Sequence, residues 1–223
     1  QYFPSIDHDL LKEKLRRWIK DAQVLDLLAC IIDSSPESTA EPQYFPGDDL
    51  LTPLDRRVGI PIGNLTSQFF ANLYLDDCDH DIKQVLKVRP YLRYVDDMVV
   101  LDHDKTRLAE IRAAVRERLT IDRLRLHPRK AHISPVVDGL NLLGYVVSPT
   151  GRRLRSDNGH RFARKFRHMA KAYREWRLEW ATVVASTQSW IGHAQHADTD
   201  GLRRAIFSQA VFTRGMGQEA ASA

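Results

Sequence analysis

Apolar residues recur at helical spacing from the start of the chain. Leu11, Leu15 and Trp18, then Leu25, Leu28 and Ile32, mark two amphipathic faces, and Asp21 stands where one helix breaks and the next is capped. Residues 33–59 collect Ser, Pro, Gly and acids, from Asp33-Ser34-Ser35-Pro36 through Pro46-Gly47-Asp48-Asp49, which is loop composition; long ordered loops tend to carry function. Asn64 is placed to cap a helix from Leu65 to about Val85, Arg89-Pro90 stops it, and a strand pair centred on Val95 and Asp96 follows. The spacing of Leu108, Ile111, Val115 and Leu119 predicts a helix over Asp104 to Leu119. Leu124-Arg125-Leu126 and Ala131-His132-Ile133 read as strands, and Leu140 to Val147 as a stronger one, turned by Ser148-Pro149-Thr150-Gly151.

This order of elements predicts an α+β fold, an antiparallel sheet with helices on one face, over residues 1–150. After Gly151 the character changes, because residues 152–180 carry ten Arg or Lys against three acids, and a second, helical unit is expected over 151–223. There Phe162, Phe166, Met169, Tyr173, Trp176 and Trp180 alternate steps of four and three, one apolar stripe on one helix. Arg161, Arg164, Lys165, Lys171, Arg174 and Arg177 occupy much of the remainder; for an isolated helix that is a solvated charged face.

Composition narrows the class. The chain has 223 residues, 43% of them apolar, enough for one large domain or two smaller ones. Its 33 basic and 29 acidic residues permit an anionic partner without requiring one. Cys30 and Cys78 are far apart in helix-like segments, which argues against a disulfide framework or a thiolate metal site and suits a reducing, cytoplasmic setting. No apolar run approaches bilayer length, so no membrane partner is expected. The first residue is Gln, and the natural start is expected to lie upstream.

Asp-Asp occurs at 48–49, 76–77 and 96–97. The first pair lies in a loop and the second on the polar side of a helix, where structural roles suffice. The third interrupts an apolar strand pair, Tyr94-Val95 before it and Met98-Val99-Val100-Leu101 after it. Burying like charges side by side is costly unless a cation neutralises them, and hard divalent ions with oxygen ligands suit the arrangement. Paired ions of this kind clamp the attacking and leaving oxygens in nucleotidyl transfer. Because successive strand side chains face opposite ways, a tight hairpin turn is needed to present both acids together.

Tyr94-Val95-Asp96-Asp97 resembles the catalytic box of reverse transcriptases. Upstream, the run from Gly59-Ile60-Pro61-Ile62-Gly63-Asn64 to Leu75 resembles the substrate-cradling loop and helix of the bacterial enzymes. Downstream, Leu126-His127-Pro128-Arg129-Lys130 resembles their lysine-bearing box, Leu140-Asn141-Leu142-Leu143-Gly144-Tyr145 the primer-grip strand, and Ser189 to Thr199 the thumb. Ile62, Ser67-Gln68 and the thumb segment look most like the enzymes of diversity-generating retroelements; antiviral-defence, retron-like and group II intron-like enzymes are the alternatives.

The resemblance implies a polymerase palm over 1–150 and a thumb over 151–223, with the fingers and the first catalytic aspartate upstream of Tyr2 and absent, so that the sequence itself is an inactive fragment. Asp7 is expected to cap a helix rather than replace that aspartate. Implied further are Asp96 and Asp97 as ligands of two magnesium ions, with manganese as an alternative, and Lys130 as a general acid toward pyrophosphate, with Arg129 as a poorer donor. Tyr2 and Phe3 would select the sugar, Pro61, Ile62 and Gly63 would run beneath the nascent pair, and Gln68 would contact nucleotide or template. Arg161, Arg164, Lys165, Lys171 and Arg174 would lie on duplex phosphates. The partners implied are an RNA template, a DNA or RNA primer, deoxynucleotides and a small basic accessory protein. A non-catalytic RNA-binding palm and thumb is the remaining reading.

Overall fold

A computed structural model describes residues 2–36, 41–61, 63–128 and 130–215, so Ile62 and Arg129 lie outside the described residues. The chain divides into two compact units, Gln1–Ile133 and Ser134–Ala223, and the change of composition after Gly151 falls within the second.

The first unit opens with α1 (His8–Trp18) and α2 (Ala22–Asp33). Asp7 caps α1, its carboxylate accepting the amides of Asp9 at 2.9 Å and Leu10 at 3.0 Å, and Asp21 caps α2 through Val24 at 3.1 Å. Leu11, Leu15 and Ile32 enter the core as their spacing predicts, but Trp18 stays exposed. The loop that follows holds one short helix, α3 (Thr52–Asp55), whose first amides are taken by Asp49.

Helix α4 (Leu65–Tyr74) begins after Asn64, where the pattern puts it, but the Asn64 side chain makes no capping hydrogen bond. The single helix expected to reach Val85 is instead interrupted at Leu75, resumes as α5 (Asp76–His80), and closes in a widened π turn over Asp81–Val85. The interruption coincides with two tertiary ion pairs, Asp77 with Lys14 and Asp79 with Arg93, which no single-helix pattern encodes. Strands β1 (Tyr91–Tyr94) and β2 (Asp97–Val100) then form an antiparallel hairpin, and α6 (Lys105–Ile121) follows its Asp104 cap. Ile111, Val115 and Leu119 join Phe70, Tyr74, Cys78 and Ile82 in one core.

The strands expected at 124–126 and 131–133 do not form. Leu124 donates its amide back to Leu119 at 2.7 Å, and Ala131 donates to His127 at 3.1 Å, so these backbone groups are spent on turns. Leu124 and Leu126 still pack on the core as side chains, while Arg125 reaches the carbonyl of Tyr44 and lies over the Phe45 ring.

In the second unit, the strand expected over Leu140 to Val147 is a hairpin of β3 (Leu140–Leu142) and β4 (Tyr145–Ser148), extended by β5 (Gly151–Leu154) in the order β3-β4-β5. Leu143 and Gly144, at φ 51° and 86°, turn the chain between β3 and β4, as a two-residue hairpin with positive φ at both positions requires. Helices α7 (Ser156–Arg174), α8 (Trp180–Ala194) and α9 (Asp200–Phe207) complete the unit. Phe162, Phe166 and Met169 are buried, with Phe162 stacked on Trp190 at 4.1 Å. The stripe does not continue on one helix: α7 ends at Arg174, Trp176 takes φ 60°, Arg177 donates back to Ala172, and Trp176 and Trp180 are exposed.

Lys14 is buried between Asp77 at 2.7 Å and Asp122 at 2.8 Å. Burial by itself pushes the Asp77 carboxyl up, but the Lys14 hydrogen bond and the charges of Lys14, Arg17 and Arg118 outweigh it and hold the carboxyl below the usual range. A depressed carboxyl stabilises the fold above its unfolded value, and that contribution is lost as pH falls through the folded value. Lys14→Met should therefore destabilise the protein by about 3 kcal/mol, since Asp122 stays buried with a weakened counter-ion, and should shift acid unfolding to higher pH. Urea denaturation at neutral and acidic pH tests both; an unchanged midpoint would show that the cluster contributes nothing.

Candidate active site

The three Asp-Asp pairs meet different fates. Asp48 accepts the amide of Phe45 at 2.6 Å and pairs with Arg56, and Asp49 serves α3. Asp77 is bound by Lys14, Arg17 and Arg118, and Asp76 faces His80 at 3.6 Å. Asp96 and Asp97 are exposed, and among the described residues neither carboxylate has a hydrogen bond or ion pair. The expectation that this pair is buried within a strand pair is thus corrected: the acids stand at the hairpin end, where the turn delivers them to solvent.

The tight turn expected around them is present. Tyr94 pairs with Asp97, and Val95-Asp96 form the two-residue connection. Of the two, Val95 alone has a positive φ, 56°, a conformation a β-branched residue adopts at a cost of about 1–3 kcal/mol. A turn of this geometry places both acids at the same end of the ribbon.

Arg93, which sequence reasoning passed over, holds the turn. Its Nε donates to both oxygens of Asp79 at 2.8 and 2.9 Å, its Nη2 pairs with the same carboxylate, and its Nη1 donates to Asn72 Oδ1 at 3.1 Å and to the carbonyl of Val95 at 3.0 Å. Tyr91 donates its hydroxyl to Asp79 at 2.6 Å. The available signal was strand alternation, which puts Tyr91 and Arg93 on one side of β1 and the exposed Leu92 and Tyr94 on the other.

Tyr2 and Phe3 lie on a segment that runs antiparallel to residues 57–60, through Ile60 N to Phe3 O at 3.0 Å and Gly59 N to Ile6 O at 2.8 Å. The Tyr2 hydroxyl donates to Ala71 O at 2.5 Å, and Phe3 packs edge-on against its ring. Burial pushes the Tyr2 phenol up; the charge of Arg93 opposes this, and Asp122, Asp96 and Asp79 add to it. Tyr2 is therefore within electrostatic reach of Asp96.

Pro61 is half-buried, and Gly63 is exposed at φ 106° with open space where a Cβ would stand. Gln68 is exposed on α4, beside the buried Ser67. Lys130 is exposed in the turn after Pro128, and among the described residues no hydrogen bond or ion pair joins its ammonium group to the hairpin. In the second unit Arg161, Arg164, Lys165, Lys171 and Arg174 are all exposed; Arg161 pairs with Asp157, whereas Arg164 and Lys165 have no acid partner among the described residues. His193 is occupied by Tyr145, whose hydroxyl lies 3.0 Å from Nδ1. Asp7, fully buried, is a cap and an ion-pair partner of Arg56 and Arg123.

The described residues contain no cluster of three or more His, Cys, Asp or Glu placed to hold a metal. The donor chemistry of Asp96 and Asp97, two adjacent carboxylates with no internal counter-ion, nevertheless suits a hard divalent cation. Adjacent carboxylates at a hairpin end are of the kind that hold metal ions in nucleotidyl-transfer enzymes. The family model described as reverse transcriptase (RNA-dependent DNA polymerase) matches residues 1–147, and the chain belongs to that family. Comparison with curated proteins gave no significant match. No described helix is long and apolar enough to cross a membrane.

Since neither acid supports the fold, Asp96→Asn with Asp97→Asn should leave metal-free stability within about 0.5 kcal/mol of the unchanged protein. Magnesium at ten times its dissociation constant should stabilise the unchanged protein by about 1.4 kcal/mol, a few degrees in Tm, and should not stabilise the double variant. Thermal melts with and without magnesium decide; equal shifts in both proteins would place the cation elsewhere.

Proposed function

We propose that Asp96 and Asp97 are the metal-binding carboxylates of RNA-templated DNA synthesis, with residues 1–150 as palm and 151–223 as thumb. The observation that carries this reading is the contrast between the pairs: two are spent on internal partners, and the third is held unpaired at a strained turn. Magnesium, two ions with manganese as the alternative, supplies activation of the primer 3′ hydroxyl and stabilisation of the pyrophosphate leaving group.

The remaining roles fall to the chain's own side chains. Lys130 donates a proton to the departing pyrophosphate. The rings of Tyr2 and Phe3 stand against a ribose 2′ hydroxyl and favour deoxynucleotides. The bend of Pro61, Ile62 and Gly63 passes beneath the nascent pair, and Gln68 contacts nucleotide or template. Arg161, Arg164, Lys165, Lys171 and Arg174 meet the phosphates of an RNA-DNA duplex without regard to sequence. The finer assignment is the diversity-generating branch, in which the cDNA is error-prone opposite adenine and a small basic accessory protein takes part; it rests on the likeness of Ile62, Ser67-Gln68 and the thumb segment.

Asp96→Asn should abolish magnesium-dependent primer extension while leaving RNA binding within about twofold, as the proposed phosphate contacts lie on another element. Normal extension by this variant would sink the assignment. Neutralising Arg164, Lys165 and Lys171 together should weaken duplex binding about equally for unrelated sequences and lower the salt dependence by roughly 0.9 unit of slope per lost contact; an unchanged slope would mark a merely solvated face. Sequencing cDNA copied from one RNA by the unchanged protein and by Ile62→Gln tests the branch. The substitution should reduce misincorporation at adenines, and equal error spectra from two active proteins would remove Ile62 from the argument.

A further inference from the structure

We infer that Arg93 is the positioning residue of the acid pair, setting where Asp96 and Asp97 stand without neutralising them; this rests on the reading of that pair as the metal site. The geometry assigns the role in three ways. First, the guanidinium is shared between a fixed anchor and the turn itself: Nε and Nη2 are held by Asp79, and Nη1 reaches both Asn72 on α4 and the carbonyl of Val95. That carbonyl belongs to the peptide joining Val95 to Asp96. Holding it fixes the plane of the peptide from which Asp96 projects.

Second, the turn needs holding. Val95 at φ 56° is strained, and such a conformation persists only where neighbouring groups over-determine it. Among the described residues, the Nη1 bond to Val95 at 3.0 Å is the side-chain contact made to the turn backbone.

Third, the charge is spent elsewhere. Arg93 is nearly buried, which works against its charge, but the hydrogen bonds and charge of Asp79 outweigh this, and Tyr91 supplies Asp79 with a further donor. An arginine this close to two carboxylates would otherwise compete with a cation for them. Paired with Asp79, it supplies direction and leaves the acids anionic. Lysine could keep the charge but not the planar fork, because one ammonium group cannot reach along Asp79 and to Val95 in fixed directions.

The experiment compares Arg93→Lys, Asp79→Asn and Tyr91→Phe in the protein by steady-state primer extension and by amide hydrogen exchange over residues 91–100. Arg93→Lys should lower kcat by about tenfold to a hundredfold with nucleotide KM within about threefold, because a displacement of about 1 Å at the reacting centre costs on that order. Its exchange should quicken at residues 94–98 while the rest of the unit stays protected. Asp79→Asn should raise the magnesium concentration for half-maximal rate, since the released Arg93 charge then falls on the acid pair. Tyr91→Phe, which leaves the tie to Val95 intact, should keep kcat within about twofold. Unchanged kcat and local exchange in Arg93→Lys would overturn the inference, as would faster exchange spread over the whole unit, which marks a structural role alone. If Asp96→Asn remained active, the site reading would fail by itself, and the exchange arm would still report whether Arg93 holds the turn.

Discussion

The carboxylate of Asp7 is fully buried, and most of what surrounds the site depends on its being satisfied. It accepts two amides at the start of α1, pairs with Arg56 at 3.3 Å and receives Arg123 at 2.6 Å. One oxygen caps the helix and the other gathers two cations from distant parts of the chain. Arg56 carries the long loop with it, through Asp48, the Gln43 carbonyl and the face of Phe45. An unpaired charge at such depth is strongly destabilising, so the arrangement is kept whole or lost. Asp7 itself lies in the antiparallel run of residues 3–8 along 57–60, which sets Phe3 beside Ile60.

The first unit is rich in acids, and several of them are taken by basic partners. Asp7, Asp48, Asp77, Asp79 and Asp122 each meet a basic side chain. Asp96 and Asp97 do not. Lys14 is committed to Asp77 and Asp122, Arg118 to the same pair, and Arg93 to Asp79.

In the second unit the apolar stripe of α7 and its basic residues separate cleanly. Phe162, Phe166 and Met169 face Trp190, Ile206 and Val183, and the basic side chains are left outside. The carbonyls at the end of α7 do not go to solvent: Gly215 donates to Arg174 O at 3.0 Å and Arg214 lies between the rings of Tyr173 and Trp176, at 4.1 and 4.2 Å. A distant segment therefore closes the helix that bears the basic face.

What the sequence determined by itself was local. Asp7, Asp21 and Asp104 announced helix starts because a cap acts within three residues, and the apolar spacing of Leu108 to Leu119 or Phe162 to Met169 reports burial on one face. The order of boxes around Tyr94-Val95-Asp96-Asp97 was enough to indicate the family that residues 1–147 match. Tertiary structure decided the rest. Short apolar runs such as 124–126 look like strands, but a strand exists only if a neighbour offers a ladder, and none is offered there. Leu140 to Val147 read as one strand because the positive φ of Leu143 is visible only in the turn it makes. The three Asp-Asp pairs are the same two letters, and only the placement in space of cations such as Lys14 and Arg56 separates structural carboxylates from free ones. Partner choice in an ion pair is a matter of distance in space, to which a linear pattern of residues has no access.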